Sequence, residues 1–315
     1  MNGKNEQICP DKESKKNELI KLASYALTRR DIDSAMDYYL EMLEIDANNA
    51  EAWRMFALCQ IFNEDYSSAI DSLTNALRLN IDDAMSYFYR GHAFNAEGKY
   101  NIAISNINDA IRLWDKHNEL YSDDIYLEKS FAYLHLGQYD NSFKNIDTYI
   151  KLKPECPRGY YVRAECYRLK NQFNEAINDF NMSLSNEVVW SNISKNAFPL
   201  YSNMQAWAFY ARGDAYRMIG KYDIAIINAD EAIKLDDEYA YAMRGSSYLH
   251  LRKADKGFSD FEKSIELDPD YYWVYGERGY WYNQFGKKQD ARNDLLKAIE
   301  LKPDWIWAIE FLENL

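Results

Sequence analysis

Internal repetition constrains the fold of this chain more than any other feature of its sequence. Residues 87–111 read YFYRGHAFNAEGKYNIAISNINDAI, residues 209–233 read FYARGDAYRMIGKYDIAIINADEAI, and residues 241–269 and 275–303 keep the same order of residue types. The shared pattern is an aromatic residue, Arg-Gly, a second aromatic residue, a turn that is usually Gly-Lys, and then small and large apolar residues. Such repetition indicates stacked copies of one unit, because each unit can bury its apolar face only against its neighbours.

The composition favours helices in these units. The chain has 315 residues, of which 47% are hydrophobic, so it is able to bury a core. It contains only 12 Gly and 6 Pro in that length, and so few helix-breaking residues favour many helices joined by short turns. The sequence therefore predicts an all-α fold.

The repeated pattern resembles the tetratricopeptide repeat, whose period is about 34 residues. The resemblance extends over nearly the whole chain and defines eight repeats, at residues 16–49, 50–83, 84–117, 123–156, 157–190, 206–237, 238–271 and 272–305. It implies that each repeat is a helical hairpin. The eighth and twentieth residues of a repeat are small and meet where the two helices cross, because only small side chains let the backbones approach. These positions hold Ala23, Ala57, Gly91, Ser130, Ala164, Gly213, Gly245 and Gly279, and Ala35, Ala69, Ala103, Ser142, Ala176, Ala225, Gly257 and Ala291.

The resemblance also implies an α-solenoid of about eight hairpins. Such a stack coils into a right-handed superhelix with a concave groove lined by the first helix of each repeat. Two insertions, at residues 118–122 and 191–205, divide the repeats into groups at 16–117, 123–190 and 206–305. The longer insertion is a second candidate for contact with a partner, since long loops in compact arrays are often functional.

Both ends of the chain differ from the repeats. Residues 1–15 are polar and are expected to form a disordered lead. Residues 306–315 are expected to form a capping helix, of the kind that such arrays use to cover an exposed end. Its apolar side chains are placed to cover the eighth repeat; they are Ile306, Ile309 and Leu312, with Trp305 just before them.

A second regularity places a basic residue at the seventh position of six repeats. Sixteen residues after each one stands an Asp or Asn on the second helix of the same hairpin. The pairs are Arg90–Asn106, Lys129–Asn145, Arg163–Asp179, Arg212–Asn228, Arg244–Asp260 and Arg278–Asp294. One interpretation is a ladder of charge-assisted hydrogen bonds inside the hairpins. The other is a row of arginines for an anionic ligand, and the constant presence of a partner within the chain favours the ladder.

The resemblance assigns positions two, five, nine and twelve of the first helices to the concave groove. The candidate partner-binding residues at these positions are Phe88, His92, Phe131, Tyr161, Arg168, Trp207, Tyr210, Arg217, Trp273 and Tyr280. Aromatic rings offer a large contact area at low entropic cost, which suits the binding of a peptide or protein segment. The alternative is that many of these rings fill gaps between adjacent helices.

Charge and cysteine usage narrow the choice of partner and compartment. The net charge of −13 makes nucleic acid an unfavourable partner, because an acidic chain repels phosphate backbones. Residues 1–16 contain no apolar core of a signal peptide, and no run of 18 apolar residues predicts a transmembrane helix, so we expect a cytoplasmic protein without a membrane partner. The cysteines are expected to be unpaired thiols without metal-ligand spacing; they are Cys9, Cys59, Cys156 and Cys166.

Motifs of catalysis do not occur in the sequence. It lacks GxSxG, HExxH and a phosphate-cradling glycine loop, so we expect no catalytic residue, metal, cofactor or small-molecule substrate. The predicted function is a non-catalytic scaffold or adaptor that binds a peptide or protein segment in the aromatic groove. The alternative is a regulatory or immunity-type subunit that masks a partner enzyme or toxin. Some members of the resembled family hold a terminal carboxylate with Lys and Asn at positions five and nine, but no such pair occurs in this chain.

Overall fold

A computed structural model describes residues 10–117, 123–185, 190 and 203–315, and these residues form helices without a strand. In chain order the helices are α1 (Pro10–Thr28), α2 (Ile32–Ile45), α3 (Ala50–Phe62), α4 (Tyr66–Leu79), α5 (Ala84–Ala96), α6 (Tyr100–His117), α7 (Asp124–His135), α8 (Tyr139–Leu152), α9 (Pro157–Leu169), α10 (Phe173–Ser183), α11 (Met204–Met218), α12 (Tyr222–Lys234), α13 (Tyr239–His250), α14 (Ala254–Leu267), α15 (Tyr272–Gln284), α16 (Lys288–Leu301) and α17 (Ile306–Glu313). The all-α fold predicted from the sequence is confirmed. None of these described helices combines the length and apolarity that crossing a bilayer requires.

Consecutive helices pair into eight hairpins, from α1/α2 to α15/α16, and α17 packs on α16. The described residues fall into two compact units, the first ending at Val162 and the second beginning at Arg163. Within each unit, the second helix of one hairpin also contacts the first helix of the next, as in α2/α3, α4/α5, α6/α7, α10/α11, α12/α13 and α14/α15. This order of contacts is that of an α-solenoid, which confirms the predicted architecture.

The small residues at the hairpin crossings lie in close backbone contact, as the repeat pattern predicts. A Cβ atom added to Gly245 would lie 2.8 Å from the carbonyl oxygen of Gly257, so a larger residue would force α13 and α14 apart. The α7/α8 crossing uses two serines instead. The hydroxyl of Ser130 donates to the carbonyl oxygen of Ser142 at 3.0 Å, and the hydroxyl of Ser142 donates to the carbonyl oxygen of Ser130 at 2.9 Å. Each buried hydroxyl therefore has a partner on the facing backbone.

One residue with a positive φ closes each hairpin turn. Four turns use glycine, at Gly98, Gly137, Gly220 and Gly286, and the other four use Arg30, Glu64, Asn171 and Arg252, with φ between 58° and 62°. The left-handed conformation costs a residue with a side chain roughly 1–2 kcal/mol. In the four hairpins whose turn lacks glycine, the packing of the two helices must therefore offset this cost.

The ladder of side-chain hydrogen bonds forms in five of the six predicted hairpins. The arginine Nε donates to an asparagine Oδ1 at 2.7 Å in the pairs Arg90–Asn106 and Arg212–Asn228. Where the partner is aspartate, Nε and Nη2 bind both carboxylate oxygens at 2.6–2.8 Å, in Arg163–Asp179, Arg244–Asp260 and Arg278–Asp294. Because these donors are engaged within their own hairpins, the structural interpretation of the arginines is confirmed.

The sixth predicted pair, Lys129 and Asn145, does not form a hydrogen bond. Asn145 donates instead to the carbonyl oxygen of Asn141 at 2.7 Å. Burial, and then the charge of Lys144, lower the pKa of Lys129. A lysine ammonium lacks the planar fork with which arginine binds two acceptors, so this hairpin does without the ladder bond.

The structure corrects the start of the first repeat. Helix α1 begins at Pro10, so residues 10–15, which were expected in the disordered lead, are helical. Lys15 pairs with Glu41 of α2, and Lys16 pairs with Asp46 just after α2, so these ion pairs hold the early turns of α1 on the hairpin. Residues 1–9 and the predicted insertion at 118–122 lie outside the described residues.

Helix α17 packs on the eighth hairpin, and three of the residues expected to cover it, Trp305, Ile309 and Leu312, are partly buried, but the fourth, Ile306, is not. Ile306 is 68% exposed, whereas Ala308 is fully buried. The indole of Trp305 occupies the space over Gly276 that the missing side chain leaves on α15. The size of this indole sets the rotation of α17, so the expectation that Ile306 covers the eighth repeat is wrong.

Replacing Arg244 by Leu is expected to lower the free energy of unfolding by about 3–5 kcal/mol, because Asp260 stays buried without its partner. The side chains of Arg244 and Asp260 are 19% and 11% exposed. Denaturant unfolding measures the effect, and a double variant with Asp260→Leu should recover part of it. The control is Arg292→Leu, an exposed arginine whose loss should change stability by less than about 0.5 kcal/mol. Equal losses for the two single variants would contradict the ladder.

Deleting residues 305–315 is expected to destabilise only the end of the array. The loss of Trp305 and Ala308 uncovers α15 and α16, and coupling in a stack of repeats is mainly between neighbours. Hydrogen exchange should therefore quicken in α13–α16 and stay unchanged in α3–α6. Ile306→Ala is the matched control and should leave exchange unaltered. Uniform loss of protection along the chain would contradict a solenoid.

Candidate functional site

A row of four aromatic residues marks the first helices of the second unit. We call Trp207, Tyr239, Trp273 and Trp307 the aromatic row; they lie on or beside the starts of α11, α13, α15 and α17. Each of the first three stands five residues before a ladder arginine, and Trp307 stands five residues before Leu312. Five residues turn a helix by about 140°. The row therefore faces away from the second helix to which each ladder arginine points.

The rings of the row are partly exposed and held by other rings. Tyr239 and Trp307 are 39% and 40% exposed, while Trp207 and Trp273 are half-buried. The ring of Tyr239 meets that of Tyr271 edge-on, with centroids 4.7 Å apart, and Trp307 stacks on Phe311 at 5.4 Å. These contacts fix the rings before any partner arrives, which lowers the entropic cost of binding.

An alternating network of charges lies beside the row. Arg168 binds both oxygens of Glu165 at 2.8 and 2.9 Å, and its Nη1 reaches Asp214 at 3.2 Å. Arg217 donates Nε and Nη2 to Asp214 at 3.1 and 2.8 Å. We call these four residues the charge network. Both of its arginines are bound to carboxylates of the chain itself.

Glu277 on α15 adds a third carboxylate to this region. It accepts a hydrogen bond from the hydroxyl of Ser246 at 2.8 Å. Burial raises the pKa of Glu277, and the charge of Arg217 opposes that rise. Arg217 also lies over Trp273, with its Cζ 5.5 Å from the ring centroid. With Glu277 included, three carboxylates face two arginines.

The surroundings of Tyr239 are negative as well. Burial raises the pKa of its hydroxyl, and the carboxylates of Asp268, Glu238 and Asp237 raise it further, in that order. A phenol becomes harder to ionise when negative charges lie nearby. The rise in the pKa of Tyr239 caused by these carboxylates indicates a negative electrostatic potential at its ring, which favours a positively charged group.

His250 does not add a positive charge to the region near pH 7. Burial, and then the charge of Arg217, lower the pKa of this histidine below its ordinary value of about 6.5. Its ring stacks on Tyr222 with centroids 4.3 Å apart and meets Trp281 edge-on at 4.9 Å. His250 therefore acts as a neutral aromatic ring.

The four predicted groove residues of the first unit are buried; they are Phe88, His92, Phe131 and Tyr161. Phe88 packs against Trp114 with ring centroids 6.0 Å apart. Exposed fractions of 8% or less leave a partner almost no surface on these side chains. Here the alternative interpretation holds, because the rings fill space between helices instead of facing a groove.

His92 belongs to a buried polar cluster that the sequence did not reveal. Its Nδ1 lies 2.6 Å from Oε1 of Glu128, and the side-chain amide of Asn95 donates to Oε2 of Glu128 at 2.8 Å and to its backbone oxygen at 3.0 Å. The cluster joins α5 to α7, the first helices of neighbouring hairpins. It holds the stack together and offers no open binding surface, since all three residues are at most 2% exposed.

The six predicted groove residues of the second unit are all partly exposed; they are Arg168, Trp207, Tyr210, Arg217, Trp273 and Tyr280. The structure brings Arg168 and Arg217 together on Asp214, and it stacks Arg217 on Trp273. Their role in binding a partner stays a prediction. The sequence analysis did not identify Tyr239, Trp307 and Glu277. Tyr239 and Trp307 each stand five residues before the seventh position of a repeat, and this constant offset would have identified them.

Most of the predicted insertion at 191–205 lies outside the described residues. Trp190, just before it, is buried at 1% exposure, and its Nε1–H donates to the carbonyl oxygen of Ser183 at 2.7 Å. Trp190 therefore packs against α10 of the preceding hairpin.

Comparison with known proteins agrees with these repeats. A family model described as tetratricopeptide repeat matches residues 123–156, 238–271 and 274–304, and the first two ranges coincide with predicted repeats. DnaJ homolog subfamily C member 3 of Gallus gallus is 24% identical over 181 residues, which cover 52% of this chain and 35% of the relative. The chain therefore spans about a third of that relative's length.

Two solved structures share the fold at low sequence identity. A chain of the APC/C hetero-tetramer Cut9–Hcn1 has a TM-score of 0.67 at 13% identity, over 94% of this chain and 55% of that chain. A tetratricopeptide repeat protein from Parabacteroides merdae has a TM-score of 0.60 at 16% identity, over 84% of this chain and 97% of that chain. Together with the matched repeats and the eight hairpins, these likenesses show that the chain has the tetratricopeptide repeat fold.

Replacing Asp237 by Asn is expected to change how stability depends on pH. Burial raises the pKa of Asp237 to about 6. The folded state then binds the proton more tightly than the unfolded state, so the contribution of this carboxyl is greatest below about pH 4 and is lost as pH rises through about 6. Asn keeps the oxygen that accepts hydrogen bonds from the backbone N–H groups of Tyr239 and Ala240.

The free energy of unfolding of the variant, relative to that of the wild type, should therefore rise by about 2 kcal/mol between pH 4 and pH 7. Denaturant unfolding at several pH values gives this difference, because all other titrating groups cancel. The exposed neighbour Asp236 provides the control variant Asp236→Asn, which should track the wild type. A difference that does not change with pH would show that Asp237 titrates as in the unfolded chain.

Proposed function

We propose that this protein is a non-catalytic interaction scaffold that binds a peptide or protein segment on the first-helix face of its second unit. The observation that carries the proposal is the aromatic row. It presents partly exposed rings at one register on successive first helices, and the rings of Tyr239, Trp273 and Trp307 contact neighbours in the chain. Tyr and Trp are the side chains that most often dominate binding energy at protein interfaces.

The charge network suits such a face. Its arginines and carboxylates are only 12–22% exposed in their side chains, and they are bound to one another without a partner. Fixed charges of this kind add specificity and register to a contact that the rings make favourable. The face therefore combines apolar anchors with polar groups that need no rearrangement.

The relatives support a role in assembly. One of the solved structures with this fold is a chain of the hetero-tetramer Cut9–Hcn1, so such a chain occurs there within a protein assembly. For the present chain, the partner and its pathway are part of the proposal. We also propose a cytoplasmic location, which the free thiols of Cys59 and Cys156 support, since reducing compartments keep cysteines out of disulfides.

Selection from a library of displayed random dodecapeptides tests the proposed face. The wild-type chain should enrich binders, and the variant Tyr239→Ala with Trp273→Ala should weaken the binding of the enriched peptides by at least about tenfold, because it removes two anchors. Tyr282→Ala is the matched control, since this tyrosine lies on the ladder side of α15 beside Arg278. A library without enriched binders would contradict the scaffold, and equal binding by the row variant would exclude this face.

A further inference from the structure

We propose that the segment bound by the aromatic row is extended and positively charged, with a Lys or Arg at every third position. This inference rests on the proposed function and specifies the chemistry of its partner. It follows from the contacts that the rings already make, from the carboxylates around them and from the spacing of the first helices.

Rings at the start of α15 already receive cations from the chain itself. Arg217 lies over Trp273 at 5.5 Å, and the ammonium of Lys302 lies 4.7 Å from the ring centroid of Tyr272. A cation over an aromatic face is stabilised by the negative charge of the ring surface, and Trp is the strongest acceptor. The same physical contact is open to a partner at the exposed rings of Tyr239 and Trp307.

An exposed aspartate stands three residues before each of the last three row residues. Asp236, Asp270 and Asp304 recur at intervals of 34 residues, in step with the row. Within the part of the chain that the structure describes, none of the three forms an ion pair. We call them the row aspartates. A cationic side chain that stacks on a row ring would come within reach of the carboxylate that stands three residues earlier in the chain.

The positive groups near the row are already engaged or neutral. Arg168 and Arg217 are bound within the charge network, where Glu277 leaves an excess of one carboxylate, and His250 is neutral near pH 7. An anionic segment would meet this negative field, and Lys302, the remaining cation named above, already lies over the ring of Tyr272. Charge complementarity therefore selects a basic segment.

The spacing of the first helices sets the spacing of the basic residues. Helix α11 contacts α13, and α13 contacts α15, so adjacent row residues belong to directly packed helices. Axes of packed helices lie roughly 8–10 Å apart. A polyproline II segment repeats its face every three residues, over about 9 Å. A basic residue at every third position thus meets one ring of the row per repeat.

Three labelled nonapeptides of equal length test the inference by fluorescence anisotropy with the full chain. One is Arg-Pro-Pro repeated three times, the second has the same composition with its three arginines adjacent, and the third is Glu-Pro-Pro repeated three times. We expect the spaced basic peptide to bind at least about tenfold more tightly than the clustered one. We also expect its binding to weaken when salt is raised from 50 to 300 mM, because exposed charge pairs are screened at roughly these concentrations.

A charge-matched pair of variants separates the row aspartates from the overall charge of the protein. Asp270→Asn with Asp304→Asn should weaken binding of the spaced basic peptide by at least about fivefold. Asp255→Asn with Asp290→Asn alters two exposed aspartates at the starts of the second helices α14 and α16 by the same net charge, and should leave binding unchanged. Equal weakening by both pairs would overturn the inference, because it would show attraction to the whole chain.

The results for the inference and for the proposed function can be told apart. If the acidic or the clustered peptide binds as tightly as the spaced basic one, the stated chemistry is wrong, while peptides enriched from the display library still support the scaffold. If the spaced peptide fails to bind and the library yields no binders, the scaffold fails as well.

Discussion

At each hairpin crossing, a glycine, alanine or serine lets two helix backbones meet. The ladder bonds and the position of the aromatic row depend on this close backbone contact. The arginine on the first helix reaches its Asp or Asn on the second only because the crossing brings the helices close, as at Gly245 and Gly257 beside Arg244 and Asp260. The bond then fixes the rotation of the first helix about its own axis. Once that rotation is set, the face opposite the ladder is set too, and the aromatic row lies there.

Similar residue types at the groove positions differ in burial between the two units. In the first unit, Phe88, His92 and Phe131 stand at groove positions of the repeat and are buried, with His92 bound to Glu128. In the second unit, residues at the same positions, such as Tyr210 and Arg217, remain partly exposed. The repeat pattern assigns a position to a helix face, but the neighbouring repeat decides whether that face is covered.

This distinction explains how much could be predicted from the sequence. The hairpins, the small residues at the crossings and five ladder bonds depend on contacts within one repeat, so a fixed spacing in the sequence reveals them. The His92–Glu128 contact joins residues 36 positions apart in different repeats, and no spacing rule within a repeat identifies it. The exposure of Ile306 depends on how the indole of Trp305 fits over Gly276, which is a matter of shape. Lys129 carries the positive charge that the ladder pattern requires, but its ammonium lacks the planar fork of arginine, so it forms no ladder bond.

The terminal helix has a further consequence. It stands in the register of a first helix, with Trp305 turned toward α15 and Trp307 partly exposed in line with the row. Helix α17 is thus half a repeat that covers α15 and α16 and also supplies a ring of the row. A further repeat of the α13/α14 or α15/α16 type would add one ring, one ladder bond and one turn. Gene duplication can therefore lengthen the aromatic row by whole repeats, without changes to the hydrophobic core or to α17.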